Sequence, residues 1–281
     1  MGIIDGKMVA SQIKENITTE VQSLKKKTGK SPGLAVVLVG DDPASAVYVR
    51  NKNKTCNNIG FQSFENILPA NTSESELLNL IHKLNNDEKV NGILVQLPLP
   101  NHIASKKILE AINPQKDVDG FHLENVGRLV TGHSLFKPCT PAGIIKLLDK
   151  YDVEIEGKNA VIIGRSNIVG KPVAFLLLER NATVTICHSR TKNLSNLARS
   201  ADILIAAIGK PNFVTADMVK DNSVVIDVGI NRLAGKLVGD VDFSAVLKKA
   251  SLITPVPGGV GPMTIAMLME NTFQAFKNSL K

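Results

Sequence analysis

The sequence has few cysteines, few aromatic residues and no tryptophan. Its three cysteines, Cys56, Cys139 and Cys187, are odd in number and far apart, so their spacing indicates neither a disulfide framework nor a zinc site. Phe and the two tyrosines together make up only 4% of the 281 residues. Basic residues are scattered apart from Lys25 to Lys27, and with so few aromatic residues this argues against a nucleic-acid-binding surface. No metal site is predicted.

Long apolar runs are also missing, since none approaches the roughly 20 residues that a membrane-spanning helix needs. The N-terminus has neither an apolar signal core nor an Arg-rich presequence, and Gly6 stands where a myristoylation motif requires Ser or Thr. The sequence therefore predicts a cytoplasmic protein with no membrane partner. Its formal net charge of +7 leaves anionic small-molecule substrates open, and its length is enough for about two domains.

A stretch near the midpoint, residues 159–172, predicts a strand, a tight turn and a helix. The run from Ala160 to Ile163 is typical of a strand buried on both faces, Gly164 ends it, and Pro172 suits the first turn of a helix. The spacing G-x-S-x-x-x-G departs from the G-x-G-x-x-G fingerprint, but its place between strand and helix favours a phosphate-binding turn for a dinucleotide. A turn that needs glycine only for its backbone remains the alternative.

The tip of the next predicted strand, residues 182–187, favours NADP over NAD. NAD-binding turns carry an acidic residue there for the ribose 2′-hydroxyl, whereas residues 187–191 read C-H-S-R-T and contain no acid. The hydroxyl of Ser189 and the guanidinium of Arg165 can both hydrogen-bond a 2′-phosphate, which a carboxylate would repel. The alternative is a solvated basic loop.

A helix predicted from Pro43 to about Asn58 carries a candidate catalytic pair, Tyr48 and Lys52. Residues four apart share one helix face, and a lysine near the carboxyl end of a parallel strand can move protons. Gln96 is the one polar residue in the predicted strand from Gly92 to Leu97, where a ligand or a structural hydrogen bond can use its amide. A solvated helix face is the alternative for the pair.

Two further segments are candidate borders of a site. Asp117 and Asp119 flank a valine before Gly120, and either carboxylate could serve the turn itself or hold the N–H groups of a ligand. Residues 257–264 contain three glycines and two prolines and are predicted to form a loop before a closing helix from Ile265 to Phe276.

With these motifs in place, the chain resembles the bifunctional methylenetetrahydrofolate dehydrogenase/cyclohydrolase family, the bacterial FolD type. The resemblance covers nearly the whole length, and several long motifs in the same order are far more specific than any one alone. The motifs are Y-V-x-x-K at 48–52, G-I-L-V-Q-L-P-L-P at 92–100, K-D-V-D-G-F at 116–121, K-P-C-T-P at 137–141, G-R-S-x-I-V-G-K-P at 164–172 and P-G-G-V-G-P-M-T at 257–264.

The resemblance implies NADP-dependent oxidation of 5,10-methylenetetrahydrofolate to the methenyl form, followed by hydrolysis to 10-formyltetrahydrofolate. Lys52 would then be the general acid/base of the hydrolysis, with Gln96 tuning it by a hydrogen bond. Tyr48 would stack on the folate and Asp119 would hold its pterin ring. The expected NADP-binding residues are Gly164, Arg165, Ser166, Ser189 and Ile230.

The fold expected from the sequence is α/β, with two α/β domains and an intervening cleft. The first domain would comprise residues 1–139 and 264–281 and bind folate; the second, residues 140–263, would be a Rossmann-like NADP-binding domain with a parallel sheet. The resemblance further implies a homodimer acting on tetrahydrofolate derivatives with or without polyglutamate tails. Two alternatives stay open: another NADP-dependent oxidoreductase with Tyr48 and Lys52 as a proton relay, and a nucleotide sensor without chemistry.

Overall fold

The computed structural model of the chain, which describes residues 1–280, has an α/β architecture. The strands are β1 (Gly2–Ile3), β2 (Gly33–Val39), β3 (Gln62–Leu68), β4 (Gly92–Val95), β5 (Asn159–Ile163), β6 (Thr183–Cys187), β7 (Ile203–Ala206), β8 (Val224–Asp227), β9 (Asn231–Leu233), β10 (Lys236–Val238) and β11 (Leu252–Ile253). The helices are α1 (Gly6–Thr28), α2 (Pro43–Asn58), α3 (Glu74–Asn86), α4 (Ser105–Ala111), α5 (Leu123–Val130), α6 (Cys139–Lys150), α7 (Gly170–Glu179), α8 (Leu194–Arg199), α9 (Phe243–Val246) and α10 (Val260–Ser279), with a 3₁₀ turn at Ala216–Met218. None of these helices combines the length and hydropathy that a membrane span requires.

The chain divides into two compact units, which we name by their sheets. The six-stranded unit comprises Met1–Ser11 and Pro138–Met267, and the three-stranded unit comprises Gln12–Lys137 and the described residues from Leu268 on. The division differs from the boundaries predicted from the sequence at residues 138–139, at residues 264–267 and in the first eleven residues. The first eleven residues group with the six-stranded unit, in which β1 pairs in parallel with β11.

The three-stranded unit is built on the parallel order β3-β2-β4. Every residue of the central strand β2 is buried, as its continuous apolar run predicts. Helix α3 begins with a capping box in which Ser73 and Glu76 satisfy each other's backbone N–H groups, and it buries Leu77, Ile81 and Leu84 against the sheet. Helix α2 packs on β2 and β3, so its first turns lie close to the carboxyl edge of this sheet.

The six-stranded unit has the parallel order β1-β11-β8-β7-β5-β6, with a separate antiparallel hairpin of β9 and β10. Strand β5 has β6 on one side and β7 on the other, which makes its carboxyl end the topological switch point where doubly wound sheets bind ligands. Apolar residues of β5, β7 and β8 form the core of this unit. The α/β prediction with a parallel sheet after residue 139 is confirmed.

One predicted loop is partly helical. The sequence assigns residues 257–264 to a loop and starts the closing helix at Ile265, but α10 begins at Val260. Pro262 is compatible with this earlier start because proline is tolerated in the first turn of a helix, where no N–H partner is required.

Candidate active-site residues

In the three-stranded unit, Lys52 and Gln96 are brought together as the sequence predicts. Helix α2 starts directly after the turn that follows β2, with Pro43 in its first turn and the side chain of Asp42 accepting a 2.7 Å hydrogen bond from Ser45 N. The Lys52 residue is only 8% exposed. Its Nζ donates to Gln96 Oε1 at 2.9 Å, so the amine is held at the carboxyl end of β4.

The orientation of Gln96 is fixed by its other contacts. Its backbone N donates to Val37 O at 2.8 Å, and its side-chain Nε2 donates to Leu97 O at 2.8 Å. The amide nitrogen is therefore engaged and the amide oxygen faces Lys52. A neutral acceptor holds the buried amine in one place without adding a second charge to the site.

Tyr48 and Cys56 lie one helical turn to either side of Lys52 on α2. Tyr48 is 38% exposed. Cys56 is completely buried, with its Sγ 3.6 Å from Met269 Sδ, and burial raises the pKa of the thiol to about 12. The thiol thus lacks both the exposure and the lowered pKa that are typical of a reactive cysteine.

The structure distinguishes the two aspartates of the turn after α4. Asp117 is 1% exposed and its Oδ2 accepts hydrogen bonds from His122 N and Asn125 Nδ2, both at 2.8 Å. Burial raises the pKa of Asp117, against the opposing effect of these hydrogen bonds. Asp117 therefore holds the start of α5, whereas Asp119 is half-buried.

The glycine turn of the six-stranded unit has a backbone path that excludes larger residues. Gly164 has φ +131°, and a Cβ at this position would overlap the carbonyl oxygen of Ala207. A Cβ at Gly170 would in turn overlap the carbonyl oxygen of Gly164. Ser166 Oγ accepts hydrogen bonds from Val169 N at 3.1 Å and Gly170 N at 3.3 Å, so it caps the start of α7.

Backbone sterics thus explain both glycines, and the case for a cofactor comes from the cavity beside them. A cavity of about 290 Å³ lies at the carboxyl ends of β5, β6 and β7. Apolar and basic side chains share its wall, which suits a flat base that carries phosphates. The lining residues are Ile163, Gly164, Arg165, His188, Ser189, Leu194, Ala207, Ile208, Lys210 and Phe213.

The cavity contains three of the five residues predicted for the cofactor, namely Gly164, Arg165 and Ser189. Ser166 acts next to it as a helix cap, and Ile230, 48% exposed, follows β8 and does not line the cavity. Sequence reasoning missed Lys210, whose Nζ lies 5.8 Å from the centre of the Phe213 ring. Lys210 lies four residues beyond the end of β7 and directly after Gly209, so the strand-tip criterion applied to residues 187–191 would have found it.

No group of three or more His, Cys, Asp or Glu side chains within residues 1–280 is arranged to hold a metal ion. The residues present do fit a dinucleotide phosphate, because a guanidinium, a hydroxyl and a close backbone approach meet at one cavity.

Comparisons with known proteins cover both units. Residues 4–119 match the family model described as tetrahydrofolate dehydrogenase/cyclohydrolase, catalytic domain, and residues 138–280 match the NAD(P)-binding domain of the same family. The chain is 60% identical over 282 residues to a bifunctional protein FolD of Campylobacter hominis, covering 100% of this chain and 99% of the relative.

Solved structures agree with this match. The bifunctional FolD dehydrogenase/cyclohydrolase of Campylobacter jejuni is 55% identical, with a TM-score of 0.97 and 99% of each chain covered. The Trypanosoma brucei enzyme, solved with NADP cofactor and an inhibitor, is 40% identical, with a TM-score of 0.96 and 99% and 98% of the two chains covered. The resemblance seen in the sequence motifs is confirmed: the chain belongs to the tetrahydrofolate dehydrogenase/cyclohydrolase family.

Proposed function

We propose that this chain oxidises 5,10-methylenetetrahydrofolate with NADP and hydrolyses the resulting 5,10-methenyltetrahydrofolate to 10-formyltetrahydrofolate. The observation that carries the proposal is the buried Lys52 held by Gln96 at 2.9 Å, in a chain that matches both family domains. A nucleotide sensor would have no use for a buried amine positioned in this way.

The oxidation requires positioning more than acid/base chemistry. The folate nitrogen supplies the electron pair that drives the step, so no protein base is needed. When bound, NADP accepts the hydride from the methylene carbon. In this proposal Gly164 and Ser166 approach the pyrophosphate, Arg165 and Ser189 bind the 2′-phosphate, and Ile230 contacts the cofactor.

The hydrolysis requires proton transfer, which we assign to Lys52. Water attacks the methenyl carbon, and a general acid/base removes its proton and returns one to the ring nitrogen that leaves. Gln96 fixes the Nζ position, Tyr48 stacks on the folate ring, and Asp119 holds the N–H groups of the pterin. The internal hydrogen bonds of Asp117 support giving this last role to Asp119.

Cofactor choice is tested by replacing Arg165. The Arg165→Ala protein should lose about tenfold or more in kcat/KM with NADP, since a charged hydrogen bond to phosphate contributes about 1.5–3 kcal/mol, while its activity with NAD should be unaffected. Arg180→Ala is the matched control, because Arg180 caps the far end of α7 and pairs with Asp149. Equal losses with NADP and NAD would contradict the assignment of Arg165.

We further propose that the chain forms a homodimer and accepts folates with polyglutamate tails. Strand β6 is an edge strand with Ile186 37% exposed, and the adjacent α7 leaves Leu178 58% exposed, so an apolar surface in the six-stranded unit is available for a second copy. Light scattering should give twice the chain mass, and Ile186→Lys should shift the measured mass toward that of the monomer.

The proposal of polyglutamate tails is supported by the net charge of +7, which favours substrates with several carboxylates.

A further inference from the structure

Two carboxylates that the proposed reaction does not use are buried in the six-stranded unit. Asp227 ends β8 and is 3% exposed, and Asp240, which follows β10, is 0% exposed. A buried carboxylate is costly unless several hydrogen bonds satisfy its oxygens. The partners of these two residues therefore show what they stabilise.

Asp240 gathers the loop that follows β7. Its Oδ2 accepts from Ile208 N at 2.7 Å and Gly209 N at 3.0 Å, and its Oδ1 accepts from Lys210 N at 2.8 Å. Gly209 has φ +67°, so three successive N–H groups converge on one anion. Such a nest of backbone N–H groups commonly binds a ligand phosphate, but here the anion is a side chain of the protein itself.

The same carboxylate also reaches the start of β9, directly after the loop that follows β8, because Asp240 Oδ1 accepts from Asn231 Nδ2 at 2.9 Å. Asp227 holds the backbone on both sides of this contact by further hydrogen bonds. Its Oδ1 accepts from Gly229 N at 2.9 Å and from Asp240 N at 2.8 Å, and its Oδ2 accepts from Val241 N at 3.0 Å. One hydrogen-bonded group therefore fixes the loop after β7, the loop after β8 and the segment that carries Asp240.

The two carboxylates are closely packed against neighbouring glycines. A Cβ at Gly229 would overlap the Asp240 carboxylate, and a Cβ at Gly239 would overlap that of Asp227. The first loop lies at the 290 Å³ cavity, which Ile208 and Lys210 line with Arg165. The second loop follows β8 at the same carboxyl edge of the parallel sheet, and Ile230, which the proposed function assigns to the cofactor, lies between Gly229 and Asn231.

We propose that Asp240 is a positioning residue for the cofactor: its carboxylate fills the nest at residues 208–210, ties that loop to Asn231, and so presents both loops in the shape that binds NADP. This inference rests on the proposed NADP site. A preformed loop lowers the entropic cost of binding, so Asp240 acts on cofactor affinity and leaves the chemistry of Lys52 untouched.

The test is Asp240→Asn, measured by direct NADP binding and by steady-state kinetics of both activities. The side-chain amide of the new asparagine has one acceptor oxygen, and its NH₂ group faces N–H donors instead of accepting from them. Some of the backbone N–H groups at residues 208–210 therefore lose their hydrogen-bond acceptor. We expect the Kd and KM for NADP to rise about tenfold, the size expected for one unsatisfied buried group. The kcat of oxidation, and the hydrolysis of added methenyltetrahydrofolate, should stay unchanged.

Asp242→Asn is the matched control, since Asp242 caps α9 by accepting from Ala245 N and asparagine serves equally well as a cap. Asn231→Ala is a second variant, which removes one hydrogen-bond donor to Asp240. If Asp240→Asn does not fold, Asn231→Ala tests the inference alone, and its Kd and KM for NADP should rise by a smaller factor.

NADP binding by Asn231→Ala and by folded Asp240→Asn equal to that of the unmodified protein would overturn the inference. A parallel loss of hydrolysis in a folded variant would also overturn it, because the role would then be general stability. Absence of NADP binding to the unmodified protein would instead refute the proposed function.

Discussion

Replacing Lys52 with methionine should remove the hydrolysis and leave cofactor and folate binding intact. Methionine has nearly the same length, so the change deletes the amine without opening a large cavity. The Lys52 residue is 8% exposed and its Nζ is 2.9 Å from Gln96 Oε1. Loss of this one hydrogen bond costs about 1 kcal/mol of folding free energy, and the added apolar burial offsets part of it, so the variant should remain folded.

The expected loss of hydrolysis is far larger than the loss of stability. A positioned general acid/base contributes about 100- to 10,000-fold to a rate, so disappearance of methenyl absorbance after addition of methenyltetrahydrofolate should slow by that factor. Lys54→Met is the matched control because Lys54 lies on the same helix and is exposed; it should hydrolyse at the normal rate.

Two outcomes would refute this reasoning. Hydrolysis by Lys52→Met at the rate of the unmodified protein would show that Lys52 is not the general acid/base. Loss of the NADP-dependent oxidation with hydrolysis retained would favour the alternative in which Tyr48 and Lys52 relay protons in an oxidoreductase.

Two further predictions concern the six-stranded unit. Gly164→Ala should abolish NADP binding in a calorimetric titration, because its Cβ would overlap the carbonyl oxygen of Ala207. The control Gly127→Ala should bind NADP normally, since no atom lies within 4 Å of a Cβ at that position. NADP binding by Gly164→Ala would contradict the assignment of the glycine turn. Burial raises the pKa of Asp227 from 3.8 to about 6, so between these two pH values the folded protein keeps a proton on Asp227 that the unfolded chain has lost. The contribution of Asp227 to the free energy of unfolding should therefore fall by on the order of 3 kcal/mol as the pH rises from about 4 to above 6. Asp227→Asn should lack this contribution, and a melting-temperature difference between the two proteins that does not change with pH would contradict it.

Much of the fold could be predicted because local signals and global packing agree. The apolar run of β2, the capping box at Ser73 and the proline at the start of α2 each predict the element that forms. The contact between Lys52 and Gln96, 44 residues apart, was expected only from the resemblance to the family, because the residues alone left the partner of Gln96 open.

Other features depend on tertiary contacts that leave little trace in the local sequence. Strand β1 has two residues, too few for a periodic pattern, and forms only because β11 offers a parallel partner. Asp240 stands in a segment rich in Gly and Asp that reads as an ordinary turn, yet its partners lie up to 32 residues away. The helical start of α10 at Val260 overrides the turn propensity of its glycine and proline.

The central claim is that one chain carries out both folate reactions with NADP. Its most direct test is an absorbance assay of the purified protein with methylenetetrahydrofolate and either NADP or NAD, following the reduced cofactor and the methenyl product separately. We predict that NADPH forms while methenyl product does not accumulate, since hydrolysis removes it. Absence of reduced cofactor of either kind would contradict the assignment, and accumulation of the methenyl product would contradict the role given to Lys52.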